Sequence, residues 1–197
     1  GLPRPSSPPG MTTGDTLGLI LAALDRAGVA SMLAGSFASS LHCLARSTSD
    51  IDVVIDPTPS TLDRFLDRLD RERFYADDVA ARRALGARDQ FNVIDTATGW
   101  KVDLIIRKDR PFSVSEFERR QAATVLGIET AVATAEDTIL AKLEWARLGG
   151  SGRQRQDVIE ILRIRGHDLD HPYLDRWAVE LGVLDDLAQV RRAADDL

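Results

Sequence analysis

The chain has 197 residues, an apolar fraction of 44% and a formal net charge of −6. This length allows one large domain or two small lobes, and the apolar content suffices for a sizeable core. The acidic balance excludes a global basic field that attracts nucleic acid, so any RNA contact must come from a local patch. The single cysteine, Cys43, excludes an internal disulfide and fits a reducing, cytoplasmic environment.

The N-terminal region is predicted to begin with a leader that has no functional role. Residues 1–10 hold four of the eight prolines, so residues 1–11 are expected to be a disordered leader or cloning remnant, with Met11 as the natural start. The apolar residues 17–24 lie between Asp15 and Asp25 and follow no basic segment, which predicts a helix rather than a signal peptide. No apolar run approaches the length of a membrane span, so no membrane partner is expected.

The segment 12–133 alternates between helix and strand patterns. A helix is predicted from Thr12 or Thr13 to about residue 26, where Gly28 ends it. The following predicted elements are a strand at 29–34, a helix at 37–45, a strand at 50–56, helices at 60–72 and 77–86, strands at 90–94 and 100–106, a short helix capped by Ser113 or Ser115 that reaches residue 120, and strand material at 124–132.

From Thr134 the pattern becomes entirely helical. Thr134 and Asp137 resemble a capping box at the start of a helix that runs to about residue 148. A flexible break is expected at 149–152, followed by helices at 154–165, 172–181 and 183–195. The predicted architecture is therefore an α/β lobe over 12–133 and a C-terminal helical lobe over 134–197, with a substrate cleft between them.

Three carboxylates mark the candidate site. Asp50 and Asp52 lie two residues apart in a predicted strand, so both side chains point to the same face. Asp103 is flanked by Val102 and Leu104 and projects from another strand that is expected to be otherwise buried. Three carboxylates gathered on one sheet repel one another strongly, and a bound hard cation is the usual remedy. Because Mg²⁺ prefers oxygen-rich sites that it shares with substrate phosphates, we expect a magnesium site here.

A tight turn supplies the second half of the site. Gly35 permits a strained turn and the close approach of a ligand. Ser36 then opens a helix, and the free N–H groups and dipole at a helix N-terminus suit a phosphate. The alternative for Ser36 is a simple N-cap, and the alternative for Asp103 is a solvated position on an edge strand.

These residues resemble a known signature. Gly35-Ser36, Asp50-x-Asp52 and Asp103 are similar to the motif of the nucleotidyltransferase superfamily, which has a DNA-polymerase-beta-like fold. The likeness continues through residues 135–142 and covers about residues 15–185. It is closest to the AbiEii-type and MenT-like nucleotidyltransferase toxins of bacterial toxin–antitoxin pairs. The resemblance implies an α+β fold, with a mixed sheet flanked by helices ahead of the helical lobe.

The resemblance also implies an activity. It suggests an enzyme that transfers NMP from an NTP to the 3′ acceptor end of tRNA, which blocks aminoacylation and translation. Asp50, Asp52 and Asp103 would bind Mg²⁺, or Mn²⁺, and act in catalysis. Four further residues would bind the nucleotide: Gly35, Ser36, Lys142 and Asp157. A cognate antitoxin protein is an expected partner, and a phosphate on Thr48 would place negative charge beside the metal site and switch the activity off.

Several alternatives remain open. The acceptor could instead be a small molecule of the aminoglycoside type or a protein hydroxyl, or the chain could be a catalytically silent binding partner. The tryptophans Trp100, Trp145 and Trp177 are expected in the core rather than as base-stacking platforms. The basic residues either balance charge on an acidic protein or grip an RNA acceptor end. They are Arg82, Arg83, Arg88, Arg107, Lys108, Arg110, Arg153, Arg155, Arg163 and Arg165.

Overall fold

A computed structural model describes residues 12–42, 50–149 and 152–196 of the chain. Three sequence predictions lie outside these residues: the leader at 1–11, the link that carries Thr48, and the centre of the break at 149–152. Within the described ranges, no helix is both long and apolar enough to cross a membrane.

Seven strands of the described chain form one mixed sheet in the order β3-β4-β5-β2-β1-β7-β6. The pairs β2–β5 and β1–β7 are parallel, and the other neighbouring pairs are antiparallel. The strands are β1 (Ala30–Leu33), β2 (Asp50–Asp56), β3 (Phe74–Ala76), β4 (Gln90–Asp95), β5 (Lys101–Ile106), β6 (Gln121–Val125) and β7 (Ile128–Val132).

Five of the described helices precede or interleave the strands, and four follow the sheet. The five are α1 (Thr13–Ala27), α2 (Gly35–His42), α3 (Pro59–Arg68), α4 (Asp78–Ala87) and α5 (Pro111–Glu118). The four are α6 (Ala135–Gly149), α7 (Gly152–Arg165), α8 (His171–Glu180) and α9 (Leu184–Asp195). This arrangement confirms the predicted α+β class, a mixed sheet flanked by helices with helices after it.

Local signals explain where the helices begin. Thr12 and Asp15 form a capping box at the start of α1, and Gly28 ends that helix at φ 74°. In α6, the Thr134 hydroxyl accepts a hydrogen bond from the Asp137 N–H at 3.1 Å and donates to the Asp137 carboxylate at 2.6 Å. The predicted cap of α5 is wrong: this helix starts at Pro111 with Arg110 as its N-cap, because proline is well suited to the first helical position.

Among the residues that the structure describes, apolar side chains gather in two clusters. The larger one packs α1 to α4 and Phe117 of α5 against the sheet. The smaller one joins α6 to α9 with Phe112, which α5 contributes from its first turn. A boundary between lobes at 133/134 stays a prediction, and α5 contacts both clusters. The candidate site lies where these two groups of elements meet.

Candidate active site

Strand pairing brings the predicted carboxylates together. In the parallel pair of β2 and β5, Asp52 is the register partner of Asp103, and Asp50 is the partner of Lys101. Register partners on adjacent strands have side chains on the same face, and so do residues two apart on one strand. Asp50, Asp52 and Asp103 therefore share one face of the sheet, and Lys101 shares it with them.

Asp103 is buried and held by two donors. Its Oδ1 accepts a hydrogen bond from Asn92 Nδ2 at 3.1 Å, and its Oδ2 lies 2.9 Å from Lys101 Nζ. The same ammonium lies 3.8 Å from Asp50 Oδ1. The hydrogen bond and negative charge of Asp103 raise the pKa of Lys101. Sequence reasoning missed both Asn92 and Lys101 as members of the site, and only the strand pairing identifies them.

The negative charge of Asp52 is disfavoured by its surroundings. Burial raises its pKa, and the charges of Asp103 and Asp50 raise it further, while Lys142 and Lys101 partly offset the effect. Three carboxylates on one face are the donor type that a hard divalent cation prefers. The Lys101 ammonium lies beside Asp103 and Asp50 and offsets part of their negative charge. The donor chemistry therefore fits Mg²⁺. Within the described ranges, no three or more side chains of His, Cys, Asp or Glu are close enough together to hold a metal ion in this conformation.

Gly35 is required by the position of Asp52. It has φ 60°, and a Cβ atom at this residue would lie 1.9 Å from Asp52 Oδ2. The neighbouring Ala34 N–H donates to the Asp52 backbone carbonyl at 2.9 Å, which fixes the turn against β2. Helix α2 begins at this turn, with Ser36 in its first turn. The N–H groups of the first turn of a helix have no partner within the helix, and in α2 this turn starts beside the Asp52 carboxylate.

A cavity of about 440 Å³ connects these elements. Five of the predicted site residues line it: Gly35, Ser36, Asp52, Asp103 and Lys142. Asp50 is exposed at the start of β2, and Asp157 lies on α7 behind Lys142. The cavity has one wall made by β5 and the residues after it and another made by α6.

Lys142 is a buried cation on the α6 wall. Its Nζ lies 2.8 Å from Asp157 Oδ2 and 2.9 Å from Gln154 Oε1, and only 4% of the residue is exposed. Lys142 and Asp157 are therefore buried residues and not part of the helix surface. Asp157 orients the ammonium, and the charge of Lys142 acts on Asp52 across the cavity.

Glu116 is a cavity residue that sequence reasoning missed. Burial raises its pKa to about 8, the charges of Asp137 and Glu144 act in the same direction, and Arg110 opposes them. Arg110 itself is committed to Glu144, to which it donates two hydrogen bonds at 2.5 and 2.6 Å. No linear pattern marks Glu116, because its environment arises only when α5 packs beside α6.

Most of the candidate RNA-binding cations are paired with carboxylates. At the cavity, Arg88 lies 2.6 Å from Asp109, and Arg107 lies 3.0 Å from Asp56. Arg110 pairs with Glu144, as described above. Elsewhere in the described chain, ion pairs join Arg82 to Asp63, Arg155 to Asp186 and Arg165 to Asp168. For these six residues, the structure supports the charge-balance alternative.

Comparison with known proteins gives a fold but no close relative. The sequence matches no family model, and no curated protein matches it. Among solved structures, ANT(2″)-Ia in complex with adenylyl-2″-tobramycin is similar at 12% identity and a TM-score of 0.58, over 87% of this chain and 97% of that one. An antigenic nucleotidyltransferase-like protein from Paracoccidioides brasiliensis is similar at 16% identity and a TM-score of 0.52, over 90% and 91% of the two chains. The closeness to AbiEii-type and MenT-like toxins stays a prediction, and the chain shares the fold of nucleotidyltransferases.

Proposed function

We propose that this protein is a metal-dependent nucleotidyltransferase that moves NMP from an NTP to an acceptor hydroxyl and releases pyrophosphate. One observation carries the proposal: Asp52 and Asp103 are register partners on adjacent parallel strands, and Asp52 lies against the Gly35 turn that opens α2. Asp52, Asp103 and the Gly35 turn, which we propose binds phosphate, line one cavity. The shared fold of nucleotidyltransferases supports the same reaction.

The triphosphate is held between α2 and α6. The backbone N–H groups after Gly35, with the Ser36 hydroxyl, bind the β- and γ-phosphates. Lys142 approaches from α6 as a positive point charge, and Asp157 keeps its ammonium aimed into the cavity. Asp50 and Asp52 would hold Mg²⁺ or Mn²⁺, which when bound would supply positive charge to the phosphates and favour ionisation of the acceptor hydroxyl.

Asp103 is the proton acceptor of the reaction. The acceptor oxygen forms a bond to the α-phosphorus, the bond from that phosphorus to the bridging oxygen breaks, and pyrophosphate leaves with the electron pair. The hydroxyl proton passes to the Asp103 carboxylate. The Asn92 amide fixes one oxygen of this carboxylate, so the other faces the acceptor once the Lys101 ammonium withdraws from it.

The sequence resemblance points to the 3′ end of tRNA as the acceptor. On this proposal the protein is a toxin that acts in the cytoplasm, stops translation by blocking aminoacylation, and is restrained by an antitoxin. Lys108 lines the cavity beside the catalytic strand and is available to an RNA phosphate. The other support for a tRNA acceptor is the family resemblance in Gly35-Ser36, Asp50-x-Asp52 and Asp103.

A specific observation favours a second acceptor, a hydroxyl of a small molecule of the aminoglycoside type. Arg88, Arg107 and Arg110 at the cavity are already paired with carboxylates, which leaves less positive charge for an RNA backbone. Glu116 adds a carboxyl group that suits an amine or hydroxyl. ANT(2″)-Ia, which shares the fold, was solved with adenylyl-2″-tobramycin.

The test is a transfer assay with α-labelled NTPs and Mg²⁺. Separate reactions contain total tRNA, a panel of aminoglycosides, or the protein alone. Label on an acceptor supports nucleotidyl transfer and identifies the acceptor class. Asp52→Asn should lower the rate by about 100-fold or more, because metal-assisted charge stabilisation is worth several kcal/mol. Asp67→Asn, an exposed carboxylate of α3, is the control that keeps full activity.

Absence of label with every acceptor, together with identical behaviour of wild type and Asp52→Asn, would contradict the proposal. It would favour the catalytically silent binding partner. Label confined to the protein would instead identify a protein hydroxyl as the acceptor.

A further inference from the structure

Trp145 differs from the other two tryptophans in its surroundings. Trp177 is buried in the helical cluster at 9% exposure, and Trp100 packs against the sheet core. Trp145, on α6, is 60% exposed and lines the cavity. The prediction that all three belong to the core is therefore wrong for Trp145. A large aromatic side chain left open to solvent beside a binding cavity is typical of a contact surface for a ligand.

The position of Trp145 on α6 relates it to the triphosphate subsite. Lys142, Trp145 and Leu148 follow one another at intervals of three residues, and all three line the cavity. Residues three apart on a helix are neighbours on its surface, with Cβ atoms about 5–6 Å apart. The indole therefore lies one helical turn beyond the lysine proposed to bind the phosphates. Leu148, at 77% exposure, extends the apolar surface by another turn.

We propose that Trp145 is the platform on which the base of the incoming NTP stacks, with Leu148 beside it. This inference rests on the proposed function, because it assumes that the triphosphate binds at Gly35, Ser36 and Lys142. The base is covalently tethered to that triphosphate, so it falls within reach of the next turn of α6. The acceptor approaches Asp103, which lies on the β5 wall of the cavity.

A protein that stacks an aromatic side chain on a base recognises the area of the base ring rather than the hydrogen-bonding groups at its edge. Base–aromatic stacking tolerates every base because each has a π-face. The two-ring purines offer more area to the indole than the one-ring pyrimidines. We therefore expect ATP and GTP to bind more tightly than CTP and UTP, and ATP and GTP to bind with similar affinity.

The test compares two ligands on two variants by calorimetric titration with Mg²⁺ present. The ligands are ATP and inorganic tripolyphosphate, which has the phosphates but no base. Trp145→Ala should weaken ATP binding by at least about fivefold, the lower end of base–aromatic stacking, and leave tripolyphosphate binding unchanged. Trp145→Phe should restore most of the affinity for ATP. Val179→Ala, an exposed apolar residue of α8 outside the cavity lining, is the matched control.

Fluorescence gives a second readout on the same protein. ATP should quench the emission of wild type, and Trp145→Phe should remove the quenching although Trp100 and Trp177 remain. Unchanged ATP affinity in Trp145→Ala would overturn the inference, as would equal weakening of both ligands. If wild type bound neither ATP nor tripolyphosphate, the proposed function itself would fail.

Discussion

Lys101 Nζ lies 2.9 Å from Asp103 Oδ2, two residues along the same strand, and 3.8 Å from Asp50 Oδ1 on the neighbouring strand. The ammonium therefore sits among the carboxylates proposed to hold a divalent cation. It reduces their mutual repulsion when no ion is bound. A metal that binds at Asp50 and Asp52 must share the site with this charge.

This arrangement predicts the behaviour of Lys101→Met. In EDTA the variant should unfold at a lower temperature than wild type, with a loss of about 1 kcal/mol, because Lys101 is partly exposed and its ion pairs are screened. Added Mg²⁺ should restore more of the stability of the variant than of wild type, since binding to the native state stabilises it by mass action. Lys108→Met is the control. Equal Mg²⁺ responses in scanning fluorimetry would contradict the prediction.

A second prediction concerns Gly35→Ala. The new Cβ would lie 1.9 Å from Asp52 Oδ2, so the carboxylate must move away from the turn. The backbone cost of a non-glycine residue at φ 60° is about 1–2 kcal/mol. We expect transfer activity to fall by about 100-fold or more, through loss of catalytic charge placement.

Gly127→Ala is the matched control for that variant. Gly127 has φ 79°, but a Cβ atom there would have no atom of the described residues within 4 Å, apart from its two chain neighbours. It should show a similar loss of stability in urea unfolding and keep its activity. If both variants lost activity equally, the close approach to Asp52 would not be the reason that glycine is required.

Local geometry alone predicts only part of the site, and the family resemblance adds Asp103, Lys142 and Asp157. The two-residue spacing of Asp50 and Asp52 decides that they share a face, whatever the rest of the fold does. Asp103 joins them only because β5 pairs in parallel with β2. That pairing also brings in Lys101, which has no motif of its own. Two members that the sequence did not predict, Lys101 and Asn92, carry no motif and enter the site through non-local strand pairing.

The same contrast holds for secondary structure. The missed strand β3 has three residues, too few to show an alternating pattern, and it forms because β4 pairs with it. The sequence predicts short strand material over residues 124–132. In the structure these residues form most of the hairpin made by β6 and β7. Its turn at Leu126 and Gly127 has φ values of 50° and 79°. Leucine at positive φ is uncommon, so no turn signal was visible.

A third prediction concerns the buried pair of Lys142 and Asp157. Asp157→Ala should destabilise the protein by about 3 kcal/mol, because it leaves a buried ammonium without its carboxylate. The double variant Lys142→Met, Asp157→Leu should recover much of that loss, since apolar replacement of both partners is often neutral. It should nevertheless fail to bind tripolyphosphate. Retained tripolyphosphate binding in the folded double variant would remove Lys142 from the phosphate site.

A fourth prediction concerns the cavity carboxyl of Glu116. Its folded pKa of about 8 is above the ordinary value of 4.5, mainly because of burial. The folded state therefore binds the proton more tightly, and Glu116 costs stability progressively as the pH rises from 4.5 to 8. Glu116→Gln should raise the melting temperature at pH 8 and leave it nearly unchanged at pH 4.5. A constant difference between variant and wild type across this range would contradict the assignment.

The last prediction concerns Asp95, which ties α1 to the sheet far from the cavity. Burial raises its pKa, but hydrogen bonds from Arg73, Thr16 and the Ala97 N–H outweigh that effect and lower it from 3.8 to about 2. The folded pKa is below the ordinary value, so the stabilisation is present above pH 4 and is lost as the pH falls toward 2. The contribution is about 2 kcal/mol.

The Asp95→Asn variant tests whether the negative charge of Asp95 stabilises the folded state above pH 4. In urea unfolding at pH 7 the variant should be less stable than wild type, because the charged partner of Arg73 is gone. The difference between the two proteins should shrink as the pH falls from 4 to 2, where wild type also loses the charge. The exposed Asp67→Asn variant should follow wild type throughout. A difference that did not change with pH would mean that Asp95 acts through packing and neutral hydrogen bonds rather than through its negative charge.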